Sequence, residues 1–342
     1  MTDTAAQNRL APRMSARDLL SAEQLEIVRR RSALRGLWLV AHAWIVILTS
    51  MALFVWWPNP ATFVLAWALI GSRQLGLSIL MHDGAHDLLL NDKTWNMRVS
   101  QWFCAFPTLS DTIAYRRYHL KHHAHAQQPD DPDLVLSAPF PVTRKSLYRK
   151  IIRDLTGRTG FQQRKAQLVG AWGVGELAIS DRLKRFVDQL GGPVAANAAL
   201  FAGCALAGHW YLYPLLWLLP LMTWYQMVLR IRNIAEHAMV PDDNDPFRNA
   251  RTTLASPLER VFLAPYWVNY HVEHHLLMWV PCYNLPKFHA FLQAGPYADR
   301  LERKRGYLSV LAMATSSSEG DGGGTKVHTE KRRYAGLVMD AG

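Results

Sequence analysis

The sequence predicts an all-α integral membrane protein, with four transmembrane helices in two hairpins and a helical cap on the cytoplasmic side. Two observations predict it: apolar residues are concentrated in four long stretches, and histidines in four tight groups just outside them. Half of the 342 residues are hydrophobic, only 19% are charged and the net charge is +11. This composition excludes collagen-like, disulfide-rich and wholly disordered proteins. The three dispersed cysteines, Cys104, Cys204 and Cys282, favour a reducing compartment.

The four predicted spans cover about residues 37–57, 61–81, 191–208 and 210–229. The first is a run of 21 residues without a formally charged side chain. As a helix it would be about 31 Å long, which matches the core of a bilayer. A Pro-Asn-Pro segment at 58–60 predicts a turn between the first and second spans. Small residues in the third span favour close helix packing in lipid, and the fourth contains Pro214 and Pro220.

The positive charge is distributed very unevenly along the chain. Seven arginines precede Leu37, sixteen Lys or Arg residues lie between His82 and Gly191, and the two hairpin tips carry none. The positive-inside rule therefore places both termini and the central loop in the cytoplasm. The first apolar run starts only after about 36 mostly polar residues, which is unlike a cleaved signal peptide. We expect a multi-pass protein of a bacterial inner membrane.

The predicted domains are an N-terminal cytoplasmic arm at 1–36, a membrane and histidine domain at 37–315, and a disordered tail at 316–342. Ser21 with Gln24 resembles a capping box that opens a basic helix at 23–34. We interpret this helix as lying on the membrane surface, and a solvated cytoplasmic helix is the alternative. The tail begins with a run rich in Ser and Gly that is typical of disorder.

Nine of the 14 histidines fall into four groups that match ligand spacing. The groups are His82 with His86, then His119 with His122 and His123, then His237, then His271 with His274 and His275. Residues three or four apart on a helix share a face, so each HxxxH or HxxHH box directs its imidazoles toward one point. Neutral imidazole binds Zn, Cu, Fe and Ni. Nine ligands are too many for one ion, and the pattern predicts two metals. For any single member, an ordinary surface histidine with its hydrogen bonds satisfied is the alternative.

The ordered boxes closely resemble those of the membrane fatty acid desaturase family, which also includes lipid hydroxylases and carotenoid ketolases. The match runs from about residue 37 to 292 and includes Pro-Asp-Asp-Pro-Asp-Leu at 129–134 and Val-Pro-Cys-Tyr-Asn-Leu-Pro at 280–286. The resemblance implies a di-iron centre whose ligands are His82, His86, His119, His122, His123, His237, His271, His274 and His275. Asn233 matches the position from which that family adds a water-mediated contact to one iron.

The same resemblance implies an O2-dependent acyl-lipid desaturase that introduces a double bond into an acyl chain. The sequence has no His-Pro-Gly-Gly haem segment, so we expect electrons from a separate donor such as a ferredoxin. A hydroxylase or ketolase with the same centre is the alternative. A metal transporter or a zinc-dependent membrane hydrolase is more remote, because a transporter places ligands at mid-membrane and a hydrolase needs about three. No nucleic-acid partner is expected, because the positive charge is explained by the topology of the protein in the membrane.

Three carboxylates beside the boxes, Asp83, Glu236 and Glu273, are predicted to accept hydrogen bonds from the outer ring nitrogens of the ligands and so fix their tautomers. An exposed or helix-capping role is equally compatible with each. Arg73 lies nine residues before His82, inside the second span. An ionisable residue there is a functional candidate that would contact substrate, and an arginine paired within the helix bundle is the alternative.

Overall fold

The computed structural model describes residues 14–173 and 175–316, and this part of the protein is mostly helical. Its α-helices are α1 Ala16–Leu19, α2 Ala22–Arg29, α3 Ala33–Trp56, α4 Pro60–Ala85, α5 Lys93–Val99, α6 Thr112–His125, α7 Leu134–Ser137, α8 Arg144–Leu155, α9 Arg158–Trp172, α10 Ile179–Leu206, α11 Leu219–Met222, α12 Trp224–His237, α13 Pro257–Phe262, α14 His271–Leu276, α15 Leu285–Ala294 and α16 Tyr307–Ala314. Two π-helical segments, Ser100–Ala105 and Tyr213–Leu218, and three 3-10 turns, Phe106–Thr108, Pro265–Trp267 and Cys282–Asn284, lie between them. The strands are β1 Thr252–Leu254 and β2 Arg303–Arg305.

Three described helices, α3, α4 and α10, are long and apolar enough to cross a membrane. The most apolar window of α4 is 67% buried, against 33% for α3 and 22% for α10. Helix α4 is therefore the central one, with α3 packed along it. Helices α3 and α10 expose Trp38, Ile45 and Phe201, as expected for side chains that contact lipid.

The first hairpin turns at the predicted place. Asn59 caps α4, because its side-chain oxygen accepts hydrogen bonds from the backbone of Ala61 at 2.9 Å and of Thr62 at 3.1 Å. Pro60 occupies the first helical position, where its missing N–H costs nothing. Local chemistry at these few residues is enough to end one helix and start the next.

The second predicted pair of spans differs from expectation. The third span, expected at 191–208, is part of the longer helix α10, which begins at Ile179. The fourth, expected at 210–229, is interrupted: a π-helical segment leads into α11, and Thr223 then breaks the path with φ −125° and ψ −83° before α12. Pro214 and Pro220 remove backbone donors in this segment and account for its irregularity. Three described helices could cross a membrane, so the four-span hairpin arrangement stays a prediction.

Two other expectations need adjustment. The predicted helix at 23–34 does open with the capping box, in which Ser21 and Gln24 exchange hydrogen bonds of 3.0 and 3.2 Å. It ends at Arg29, because Ser32 caps α3 and the two residues that follow join that helix. Residues 1–13 of the predicted arm and 317–342 of the predicted tail lie outside the described residues.

A small sheet interrupts the predicted all-α fold. Strands β1 and β2 pair in parallel, with Thr252 opposite Arg303. The hydroxyl of Thr252 accepts a hydrogen bond from the backbone of Val272 in α14 at 3.2 Å. Strand β1 thus anchors the helix that carries the third histidine box. Three-residue strands leave no periodic pattern long enough to detect in the sequence.

Candidate metal centre

Four helix ends bring the histidines together. Helix α4 carries His82 in its last turn and ends with His86 as its C-cap, and α12 ends at His237. Helices α6 and α14 supply the remaining six histidines: His119, His122, His123, His271, His274 and His275. Asp111 begins α6 by accepting a hydrogen bond from the backbone of Ala114 at 2.7 Å. The boxes therefore lie on helices, as their spacing predicts.

The nine histidines separate into two groups, in each of which all candidate donor atoms lie within 4.8 Å of one another. The five-histidine group contains His82, His86, His119, His123 and His274. The four-histidine group contains His122, His237, His271 and His275. Both HxxHH boxes are divided between the groups, an assignment that spacing could not give.

The distances between ring nitrogens fit shared metal ions. The Nε2 atoms of His271 and His237 are 2.8 Å apart, and those of His82 and His274 are 2.9 Å apart. Two nitrogens bound to one ion at about 2.1 Å and at right angles would be about 3.0 Å apart. The Nε2 atom of His86 is buried and has no hydrogen-bond partner among the described residues. Such an orphan is rare in proteins and is explained where the nitrogen binds a metal.

Burial keeps most of these imidazoles neutral. It lowers the pKa of the following histidines well below the usual value, and repulsion from neighbouring imidazoles lowers it further: His119, His123, His237, His271, His274 and His275. A histidine must be unprotonated to bind a metal. Both groups are therefore set up electrostatically to accept cations.

His122 differs because of Asp131, a residue that the sequence analysis did not single out. Burial lowers the pKa of His122, but its Nδ1 lies 2.8 Å from Oδ1 of Asp131, and this hydrogen bond raises the pKa above its usual value overall. Asp131 is 1% exposed. It holds the ring with Nε2 toward His275, at 3.3 Å. The acidic segment that follows the second box contains Asp131 and could have indicated a carboxylate partner for that box.

The three carboxylates singled out from the sequence occupy different places. Asp83 Oδ1 is 3.6 Å from the outer Nδ1 of His82, and Asp83 Oδ2 accepts a hydrogen bond from the backbone of Cys282 at 3.0 Å. Glu273 lies behind the third box, where its carboxylate contacts His289 and the hydroxyl of Thr252. Asp83 thus ties the first box to the segment after the third, and Glu273 ties α14 to β1.

Glu236 lies on the inner side of the centre. Its Oε2 is 3.7 Å from Nε2 of His271, the nitrogen that faces the other imidazoles, and its Oε1 accepts a hydrogen bond from Arg232 Nε at 2.6 Å. Burial raises the pKa of Glu236 to about 7, although Arg232 lowers it. Asn233 is on the same helix, one turn before His237.

A second residue missed by the sequence analysis positions His237. Arg251 is 1% exposed and donates to the carbonyl oxygens of Ala238 at 2.8 Å and Met239 at 2.9 Å, just beyond the end of α12. Its Nε also donates to Glu302 at 2.9 Å. A buried guanidinium that satisfies the carbonyls at a helix end fixes where that helix stops. The position of Arg251 in the sequence, between His237 and the third box, gave no indication of this role.

Arg73 is paired within the helix bundle. Its side chain donates to the carbonyl oxygen of Val261 at 2.5 Å and lies over the ring of Tyr266, with its guanidinium carbon 5.5 Å from the ring centre. Arg73 is 6% exposed. These contacts hold α13 and the turn after it against the middle of α4.

Two cavities among the described residues border the histidines. One, the Tyr118 cavity, has a volume of about 210 Å³ and is lined by Tyr115, Tyr118, His119, His122, Asp133, Leu136, Leu229, Arg232, Asn233, Glu236, His237 and His271. The other, the Trp279 cavity, has about 320 Å³ and includes Trp279, Met14, Gln128, His123 and His275 in its lining. Each cavity touches histidines of both groups.

Three helices long and apolar enough to cross a membrane, together with two histidine groups that are able to hold metal ions, are typical of a membrane metalloprotein. Residues 54–306 match the family model for fatty acid desaturases, and the chain belongs to that family. It is also similar to dihydrorhizobitoxine desaturase of Bradyrhizobium elkanii, with 28% identity over 240 residues, which cover 68% of this chain and 67% of that protein. The family resemblance deduced from the histidine boxes is confirmed, and the function is of the desaturase type.

Proposed function

We propose that the protein is an O2-dependent di-iron desaturase that introduces a double bond into the acyl chain of a membrane lipid. The observation that carries the proposal is the convergence of nine histidines from four helix ends into two groups. Family membership favours iron and a lipid substrate. Electrons would come from an external, ferredoxin-type donor.

The two groups would each hold one iron. Asp131 would fix the tautomer of His122, and Asp83 would orient His82. Asn233 would contact the ion of the four-histidine group through water, since it lines the same cavity as His237 and His271. When bound, the irons supply the activation of O2 that removes hydrogen from an unactivated CH2 group. The protein determines which carbon is presented.

The membrane setting supports an acyl chain as substrate. Cavities of about 640 and 540 Å³ between α3 and α10 have mostly apolar linings and share Trp44, Leu48, Ala199 and Leu200. The similar Bradyrhizobium protein is named for dihydrorhizobitoxine instead, so its name does not carry the acyl-chain proposal. We also propose a multi-pass bacterial inner-membrane location with both termini and the centre cytoplasmic, based on the positive charge of the central loop.

The test is expression in a bacterial host, followed by mass spectrometry of lipids and metal analysis of the purified protein. Desaturation gives a lipid lighter by two hydrogen atoms, whereas the alternative hydroxylase gives one heavier by an oxygen atom. His237→Ala and His274→Ala, one from each group, should abolish the product. Zinc without iron and an unchanged lipid profile would overturn the proposal.

A further inference from the structure

Glu236 approaches the metal-facing side of the four-histidine group. Its Oε2 is 3.7 Å from Nε2 of His271, and the same nitrogen is 2.8 Å from His237 Nε2 and 3.1 Å from His275 Nε2. Asp131, by contrast, contacts the outer Nδ1 of its histidine partner. Glu236 is thus placed to act on an ion bound by the four-histidine group, and not only on the orientation of an imidazole ring.

The orientation of this carboxylate is fixed. The side chain of Glu236 is 5% exposed, and Arg232, one turn earlier on α12, donates from Nε to its Oε1 at 2.6 Å. The other oxygen remains directed toward His271. A buried carboxylate needs such a partner, because an unpaired charge in the interior is strongly destabilising. Arg232 therefore positions Glu236.

The two histidine groups are unequal, and Glu236 lies beside the smaller one. One group has five imidazoles and the other four, and neither includes a carboxylate among the described residues. The Tyr118 cavity borders three members of the four-histidine group as well as Asn233 and Glu236. Its volume of about 210 Å³ is enough for water. The smaller group therefore opens onto a space that polar side chains line.

Geometry favours an indirect contact between Glu236 and an ion. Two atoms bound to one ion at about 2.1 Å can be no more than about 4.2 Å apart. Glu236 is not among the residues whose donor atoms all lie within 4.8 Å of one another. In this position Glu236 would contact the ion through a bound water and not directly.

We propose that Glu236, positioned by Arg232, accepts a hydrogen bond from a water on the open side of the four-histidine group and increases the affinity of that group for its metal. Neutral imidazoles leave the charge of a divalent cation uncompensated, and a bound cation would favour the ionised form of Glu236, which then places a negative charge on the inner side of the group. This inference rests on the part of the proposed function that has iron bound to the histidines, and it does not depend on which reaction the protein catalyses.

The test compares full-length wild type with Glu236→Gln, Glu236→Ala and Arg232→Gln. Each purified protein is stripped with a chelator and titrated with Fe²⁺, and the bound iron per chain and the Mössbauer spectrum are recorded. The matched control is Asp154→Asn. This substitution breaks a buried ion pair with Arg230, which lies on α12 like Glu236 but does not line the Tyr118 cavity. Circular dichroism and melting temperature verify that each variant is folded.

We expect wild type and Asp154→Asn to bind two irons. In Glu236→Ala the ion of the four-histidine group should bind about 10- to 100-fold more weakly, with the ion of the five-histidine group retained. Glu236→Gln, which keeps the shape and loses the charge, should show the same loss even if the alanine variant folds poorly. Binding of both irons by Glu236→Gln as tightly as by Asp154→Asn overturns this inference alone. Failure of the wild type to bind iron overturns the proposed function as well.

Discussion

Replacing Asp131 by Asn tests whether the hydrogen bond behind His122 determines metal affinity. Oδ1 of Asp131 accepts from His122 Nδ1 and from the backbone of Asp133, and Oδ2 accepts from the backbone of Gln127, each at 2.8 Å. An amide keeps the shape of the side chain but turns one of its two acceptor atoms into a donor. The substitution therefore removes one acceptor contact and the negative charge with almost no change in volume.

The magnitude follows from these contacts. If the amide oxygen keeps His122, its nitrogen faces the Gln127 N–H, and the buried donor pair costs about 1–3 kcal/mol of the free energy of unfolding. The bond to His122 also changes from charge-assisted to neutral, which halves its strength approximately. Loss of such an orienting carboxylate typically weakens metal binding about 10- to 100-fold, or about 1.4–2.8 kcal/mol.

The assay is iron titration of the metal-free protein together with its melting temperature. Asp133→Asn is the matched control, because Asp133 Oδ2 is 3.6 Å from His122 Nδ1 and its side chain is 23% exposed. We expect weakened binding at the four-histidine group in Asp131→Asn and a much smaller effect in Asp133→Asn. Equal iron affinity and melting temperature in the two variants would refute the reasoning.

Two further predictions concern α4. Gly84→Ala should lower the melting temperature and reduce iron content, because the added Cβ would lie 2.2 Å from Oγ of Ser100; overpacking of this kind costs about 1–3 kcal/mol. Gly203→Ala, in α10, is its control and should be neutral or stabilising, because beyond its chain neighbours and the adjacent helix backbone no described atom lies within 4 Å of the added carbon. Arg73→Leu should lower stability through the lost bond to Val261 and leave the double-bond position unchanged. A shifted double bond in Arg73→Leu would indicate substrate contact instead, and a Gly84→Ala variant as stable as Gly203→Ala would contradict the close packing.

Local chemistry explains which parts of the fold the sequence could predict. An uncharged run of 21 residues followed by Pro-Asn-Pro specifies a helix and its end without reference to the rest of the chain. The fourth apolar segment has a similar composition, but Pro214 and Pro220 leave its path to tertiary contacts. Asn197 supplies one such contact: its side-chain oxygen accepts hydrogen bonds from Tyr213 and Trp217, at 3.1 and 3.2 Å. The apolar composition of this segment is evident from the sequence, but its interruption depends on how it packs against the rest of the protein.

In the candidate metal centre, too, the sequence predicts features that depend on neighbouring residues but not those that depend on distant parts of the chain. Helical spacing predicts that His119, His122 and His123 share one face, and the structure places them so. It cannot predict that His122 joins a different group from its neighbours, since that depends on where α12 and α14 dock. Asp131 escaped notice because the segment after α6 folds back to bring it to His122, nine residues earlier.

Because both HxxHH boxes are divided between the two groups, the same two helices position ligands of both groups. Helix α6 gives His122 to one group and His123 to the other, and α14 does the same with His275 and His274. Any shift of either helix therefore displaces ligands of both groups at once. Asp131 acts on the ring of His122, a ligand of the four-histidine group, whereas Thr252 holds the backbone of α14 and with it ligands of both groups.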